Sequence, residues 1–314
     1  MGANETKKMS AQQHEAKKKR KIIIFAVEIA IILVMMVVLY LVMSKTDSEP
    51  KRTELKREDL GIAPEVDEAI ENETSPLRGY MNVALFGVDA ETESQLYRGS
   101  RSDSIMIASI NLDTGDIKLV SVFRDTYLNI YGEQGYRKCN AAYSYGGAEQ
   151  AIKTLNSNLD LNIEKFVTVG YRGLSGVIDS LGGVYIDVDS EELKHINNYQ
   201  INIAEALECE YTPVTETGYQ LLNGLQATAY CRIRYTKGDD FKRTARQREV
   251  IKALEARAKE ASLADLTKAF EACIDDIYTN FDNKDILDLL ANVANYRIVD
   301  EGGFPDESLR TVGN

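Results

Sequence analysis

At 314 residues, 44% of them hydrophobic, the chain is long enough for one sizeable core or two small ones and too apolar to be disordered throughout. Its formal net charge of −12 is uneven: residues 1–21 hold seven Lys or Arg against two acids, so the remainder carries −17. An acidic remainder of that size excludes a general nucleic-acid binder, because a phosphate backbone demands a basic face.

The basic block Lys17-Lys18-Lys19-Arg20-Lys21 abuts an apolar run, Ile22 to Met43, broken only by Glu28. As a helix the run would span roughly 33 Å, enough for a hydrocarbon core of about 30 Å. Lys and Arg on its N-terminal side predict a cytoplasmic N-terminus with everything after the run outside. A cleaved signal peptide fits less well, since the run is long and no A-x-A site follows. Residues 44–77, with Pro50, Pro64 and Pro76 and few large apolar side chains, predict a stalk.

From residue 78 onward strand-like and helix-like patterns alternate. Met81 to Gly87, Ile105 to Ile110 and Ile117 to Phe123 predict strands, the last two joined by the turn Asp113-Thr114-Gly115-Asp116. Ala148 to Leu159 has helical spacing, Phe166 to Val169 reads as strand, Leu174 to Leu181 as helix and Val184 to Val188 as strand. Arg246 to Ala261, Leu263 to Ile277 and Lys284 to Val293 predict three more helices. No internal repeat is present. The pattern predicts one α/β domain over residues 78–314, a mixed central sheet sandwiched by helices.

Two histidines, His14 in the basic tail and His195 in a polar stretch, are too few and too isolated for a Ser-His-Asp or histidine-metal site. Cys139, Cys209, Cys231 and Cys273 lack C-x-x-C spacing, which argues against structural zinc and leaves disulfides or free thiols open. Acids and arginines remain. Asp89, Asp103 and the pair Arg124-Asp125 stand at predicted strand ends, where α/β proteins tend to place ligands. Two carboxylates suit Mg²⁺, which takes one or two protein carboxylates plus phosphate and water; turn and helix-cap roles suit them equally. Asn223-Gly224-Leu225-Gln226 carries a capping-box signal. It leads into Tyr230 to Tyr235, where an extended backbone would point Arg232 and Arg234 the same way. Arg243 and Gln247 share a face near the start of the next helix, and guanidinium forks near a helix N-terminus favour phosphate. Arg248 and Glu249 read as part of a solvated charged face with Arg–Glu pairs.

Eight stretches occur in order that together resemble the LytR-CpsA-Psr family of cell-wall glycopolymer transferases. They are Asn82 to Asp89, Arg101 to Ser104, Ser121 to Thr126, Asn140 to Tyr143, Gly182 to Val184, Leu222 to Ala227, Tyr230 to Arg234 and Asp239 to Gln247. The resemblance implies an α/β/α fold with a deep apolar pocket for a polyprenyl tail. It implies Mg²⁺ (or Mn²⁺) on Asp89 and Asp103, with Arg101 shielding the metal side. It implies a pyrophosphate clamp of Arg124, Arg232, Arg234 and Arg243, with Asp240 and Gln247 beside them; Arg101, Asp103, Arg124, Arg232 and Arg234 would be the catalytic set. The implied donor is a polyprenyl-pyrophosphate-linked glycopolymer such as teichoic acid, capsule or another wall polysaccharide. The implied acceptor is peptidoglycan, and the implied setting the outer face of a bacterial membrane, Gram-positive in type. A lipid-pyrophosphate hydrolase and a non-catalytic polymer-binding protein remain open, and Asp103 and Asp125 are both candidates for general base. Three departures stand out: Phe123 where relatives often have Pro, Lys242-Arg243 where they often have Gly-Arg, and an end at Asn314 where they often add a final strand.

Overall fold

The computed structural model describes residues 51–310, apart from 73, 74, 76, 91, 92, 235 and 237. The basic tail, the predicted membrane span Ile22 to Met43 and the first part of the predicted stalk lie outside the described residues. Among those described, no helix is long and apolar enough to cross a membrane.

A seven-stranded mixed sheet organises the fold, in the order β1 (Lys51–Arg52), β10 (Ile277–Thr279), β7 (Lys165–Val169), β2 (Tyr80–Val88), β3 (Ser102–Asn111), β4 (Asp116–Val122), β11 (Arg297–Phe304). The β1–β10, β7–β2 and β4–β11 pairs are parallel and the others antiparallel. The central strands are apolar on both faces because both faces are covered. Ala84, Phe86 and Val88 of β2 and Ile105 and Ile107 of β3 pack on one side with helix α3 (Ala141–Leu159). Val83, Met106, Ala108 and Ile110 face the other side, where Ile251 and Ile286 cover them. The predicted turn closes the β3–β4 hairpin, with Gly115 at φ +74°.

A second core is built by helices α4 (Tyr171–Ser180), α5 (Ser190–Leu207), α6 (Gly224–Tyr230) and α7 (Asp239–Glu260) with the hairpin β8 (Val184–Val188) and β9 (Gly218–Leu222). The capping box is present: Asn223 accepts from the Gln226 amide at 2.9 Å and Gln226 returns the bond. Gly224 lets α6 lie against α4, since a Cβ there would stand 2.0 Å from the Ser175 carbonyl oxygen.

The structure departs from the sequence expectations in several places. Residues 51–71, expected in the stalk, join the domain: β1 pairs with β10, Leu60 is 1% exposed in the core, and the Asn156 amide donates to the Leu60 carbonyl. Helix α1 (Pro64–Glu71) follows. The predicted helix from Leu263 ends at Cys273, after which β10 enters the sheet. Elements that gave no sequence signal include the short helix α2 (Glu93–Tyr97), α5, β9, the edge strand β11, and a small hairpin of β5 (Tyr127–Asn129) and β6 (Tyr136–Lys138). All four cysteines are free.

Candidate active site

The acids and the first arginine converge through strand direction. Chain ends of β2 and β4 and the start of antiparallel β3 lie at one edge of the sheet, which places Asp89, Arg124 and Asp103 together. Register adds a finer device. Gly87 pairs with Ser104 but Val88 pairs with Ser102, so Asp103 is the extra residue of a β-bulge. A bulge re-aims the inserted side chain, and Gly87 permits it at close quarters: a Cβ there would lie 2.9 Å from Ser104 Cβ.

Helical elements supply the rest. Asp240, Arg243 and Gln247 stand at i, i+3 and i+7 on the first turns of α7, one face of the helix. The segment after α6 is not extended. Cys231 is helical in φ and ψ, and amides 231 to 233 bond back to residues 227, 229 and 230. Arg232 and Arg234 nonetheless reach one cleft, against different partners. Arg232 lies 3.8 Å from Asp89 and stacks over Tyr171, its guanidinium carbon 4.5 Å from the ring centre; Arg234 lies 3.8 Å from Asp240.

A dense charge network results. Arg124 donates to Asp103 at 2.8 Å, and Arg243 donates to the Asp103 carbonyl at 2.8 Å. One carboxylate oxygen, Asp240 Oδ1, lies within ion-pair range of Arg124 (3.4 Å), Arg234 (3.8 Å) and Arg243 (3.1 Å). None of the three is aligned as a hydrogen bond, and Asp240 Oδ1, Arg124 Nε, Arg243 Nε and Gln247 Oε1 are buried without a hydrogen-bond partner. Burial works to lower the Arg124 pKa, but the Asp103 hydrogen bond and the charges of Asp103, Asp240 and Asp125 outweigh it and raise it. Burial dominates at Arg243 and lowers its pKa, helped by Arg124 and Arg234. The Tyr171 hydroxyl, which donates to Asp89, is pushed up by burial and by that carboxylate.

Asp89, Asp103, Arg232, Arg234, Arg243 and Gln247 border a cavity of about 480 Å³ that is otherwise apolar, walled by Leu85, Met106, Val167, Leu174, Val250 and Ile251. A polar recess bounded by Asp89, Arg101, Asp103, Arg124, Asp125 and Arg234 adjoins it. Arg101 is exposed there. The two spaces share Asp89, Asp103 and Arg234. Among the described residues no three His, Cys, Asp or Glu side chains converge as a metal cage. Asp89 and Asp103 on one recess nonetheless match the donor set of Mg²⁺ or Mn²⁺ sites completed by substrate phosphate. Tyr171, Tyr199, Lys138 and Asn140 also line these spaces; of these, only Asn140 lay in a stretch the sequence reading singled out. His195 lines neither space. Arg248 pairs with a glutamate, Glu301, at 3.8 Å and donates to Ser121, while Glu249 accepts from Tyr230; both are partly buried rather than fully solvated. Cys231 is a cavity wall residue whose thiol burial raises to about 12, and it is no nucleophile at neutral pH.

Comparison with known proteins gives one consistent result. The LytR_cpsA_psr family model matches residues 37–305. The chain is 30% identical over 239 residues to Biofilm regulatory protein A of Streptococcus mutans, covering 70% of this chain and 57% of that protein. It is 32% identical over 186 residues to the polyisoprenyl-teichoic acid–peptidoglycan teichoic acid transferase TagV of Bacillus subtilis, covering 57% of this chain and 45% of the relative. The chain thus spans about half the length of these curated relatives. The solved structure of TagT bound to LIIa-WTA, TagT being a B. subtilis protein, superposes with a TM-score of 0.56 at 26% identity, covering 75% of this chain and 82% of that one.

Proposed function

The chain belongs to the LytR-CpsA-Psr family, and on that premise we propose that it transfers a glycopolymer, with its phosphate, from a polyprenyl-pyrophosphate carrier to peptidoglycan. One observation carries the reading: three arginines, Arg232, Arg234 and Arg243, line an apolar cavity, and a fourth, Arg124, lines the polar recess that adjoins it. Such a cleft suits an amphiphile with a hydrocarbon tail and a polyanionic head. The cavity would take the tail, and Arg124, Arg232, Arg234 and Arg243 would hold the two phosphates. The relatives' teichoic acid chemistry makes teichoic acid the first polymer to test, with capsule and other wall polysaccharides of the same chemistry.

In the reaction an acceptor sugar hydroxyl attacks the sugar-side phosphorus. A new P–O bond forms, the bond from that phosphorus to the bridging oxygen breaks, and polyprenyl phosphate leaves. The hydroxyl proton passes to a carboxylate at the recess, with Asp103 and Asp125 placed there. Guanidiniums already held in position by Asp89, Asp103 and Asp240 stabilise the charge that spreads over the phosphates without reorganising. Mg²⁺ or Mn²⁺, which Asp89 and Asp103 would hold, supplies further Lewis-acid stabilisation of that charge. Arg101, exposed on the recess rim, would shield the metal side of the recess. The apolar run Ile22 to Met43 would anchor the chain with its N-terminus cytoplasmic and this domain on the outer face of the membrane. A reporter fused to the C-terminus and active only outside the cytoplasm tests that topology.

The decisive assay uses full-length protein in detergent with a defined lipid-linked donor, with and without a glycan acceptor. Polymer joined to acceptor is expected. Release of polymer into water at an undiminished rate without acceptor would make the protein a hydrolase, and tight donor binding without turnover would make it a binding protein.

A further inference from the structure

A polymer whose phosphate sits in the recess must leave the site through the recess mouth, and an acceptor glycan must enter there. Lys138 closes one side of that mouth, its ammonium 3.2 Å from Asp125. It stands directly across β5–β6 from Tyr127, and Tyr136 stands across from Asn129 in the same ladder. Residues paired in this way share a face, so Tyr127, Tyr136 and Lys138 lie together. The opposite face is anchored by Leu128, buried in the main core. Tyr127 and Tyr136 are 68% and 61% exposed, yet their rings are nearly parallel, with centroids 6.1 Å apart and planes at 23°.

The platform is fixed relative to the phosphate clamp. The Asn140 amide donates to the Arg124 carbonyl at 3.0 Å and the Cys139 amide to the Thr126 carbonyl at 2.8 Å. Asn158 holds the Asn129 backbone from both sides, at 3.1 and 2.9 Å. Tyr127 follows Arg124 by three residues, a span of at most ~10 Å, short enough for the first sugars of a glycan attached at the clamp.

We infer that Tyr127, Tyr136 and Lys138 form a saccharide subsite that holds a pyranose ring of a glycan entering or leaving the recess. A pyranose offers an apolar C–H face that matches the electron-rich face of tyrosine. Its hydroxyls take hydrogen bonds from the tyrosine hydroxyls and the lysine ammonium. The inference rests on the transferase reading for the direction of the glycan, but not for the binding itself. The donor polymer and the acceptor strand carry the same sugar chemistry, and kinetics tell them apart.

The test compares Tyr127→Ala, Tyr136→Ala and Tyr127→Phe with Tyr219→Ala. The last disrupts the other exposed parallel pair, Tyr185 and Tyr219 on the β8–β9 hairpin, which lines neither the cavity nor the recess. Each alanine variant at the platform is expected to raise KM about tenfold for one glycan substrate, the scale of a lost aromatic contact. kcat and Tm should hold; Tyr127→Phe, which keeps the ring and loses the hydroxyl, should fall between wild type and Tyr127→Ala, and Tyr219→Ala should behave as wild type. A KM change confined to the donor marks the polymer as occupant; one confined to the acceptor marks the wall glycan. In parallel, saturation-transfer NMR with a soluble peptidoglycan oligosaccharide and a soluble teichoic acid fragment reads binding without turnover. Signal with at least one probe, lost in both platform alanine variants and kept in Tyr219→Ala, supports the subsite even if wild type transfers nothing, an outcome that sinks the transferase reading alone. Unchanged KM values, or no platform-dependent signal with either probe, overturn the subsite while leaving transfer untouched.

Discussion

Two arginines three residues apart on α7 meet opposite fates. Arg246, 3% exposed, is satisfied on every nitrogen: Nε donates to Glu192 at 2.7 Å, Nη1 to the Ile233 carbonyl at 2.9 Å and Nη2 to Thr236 at 2.7 Å. Arg243, 4% exposed, leaves Nε without a partner, shares Asp240 with two other guanidiniums, and has its charge disfavoured by burial. An unsatisfied buried polar group costs about 1–3 kcal/mol. Arg246 is thus wired as a structural cation that ties α7 to α5 and to the turn after α6. Arg243 belongs to a cluster held ready for an anion that brings the missing acceptors. Unpartnered groups gathered at one place beside a complete network are what the proposed phosphate clamp requires.

The contrast is easiest to break at Arg246. Arg246→Ala should cost about 3–5 kcal/mol, because Glu192 would be left buried and unpaired. For a domain of this size that lowers Tm by about 10 °C or more. Arg243→Met should leave stability unchanged or raise it by up to about 1 kcal/mol, while transfer collapses. Thermal unfolding of both variants checks the pair; equal destabilisation would erase the distinction.

Next in size is Asp103→Ala. Transfer should fall by about 10²–10³-fold, the loss expected for a group that acts mainly on developing charge. Donor binding should fall far less, because the arginines hold ground-state phosphate. Chelation of divalent metal should reproduce the loss in wild type. Wild-type activity indifferent to chelation would remove the metal from the mechanism.

Arg234→Lys sharpens the nature of the clamp. Lysine keeps the charge but not the planar fork, so transfer should drop roughly tenfold to a hundredfold, the worth of a charge-assisted hydrogen bond of about 1.5–3 kcal/mol. Folding should be unaffected. Wild-type rates in this variant would reduce Arg234 to a diffuse charge.

The smallest effect concerns Glu249, on α7 beyond the site. Burial raises its carboxyl pKa, with the Tyr230 hydrogen bond opposing and Glu192 adding to the rise. The folded state then binds the proton more tightly than the unfolded chain. This contribution to stability is present below the ordinary carboxylate pKa and is lost as pH rises through the folded value. Glu249→Gln should therefore raise Tm slightly at neutral pH and not at low pH. The gain is small because the group is only partly buried and water screens it. A Tm difference independent of pH would place the effect elsewhere.

Much of this was legible in the sequence, for identifiable reasons. Apolar runs such as Met81 to Gly87 announce buried strands because both sheet faces are covered, and Asn223 with Gln226 announces a helix start because capping needs those two side chains at that spacing. The site acids and arginines stood out because nothing else in the chain could do chemistry. The extended backbone expected after Tyr230 was misjudged, since five residues carry too little periodicity to separate a strand from a helical turn, although Arg232 and Arg234 still reach one cleft. Residues 51–71 were misjudged because a short polar segment carries little burial signal of its own; only the docking of Leu60 beside Asn156 draws it into the domain.

The sequence by itself determined the alternation of strands and helices, the family and the inventory of charged groups, because these depend on residue type and local spacing. Tertiary structure alone decided that Asp103 is the bulged residue, that one oxygen of Asp240 faces three arginines, that Arg246 is satisfied where Arg243 is not, and that two exposed tyrosines lie beside the recess. Each of these depends on strand register or on contacts between segments distant in the chain. A shift of one residue in register turns a side chain to the opposite face without changing a single letter of the sequence.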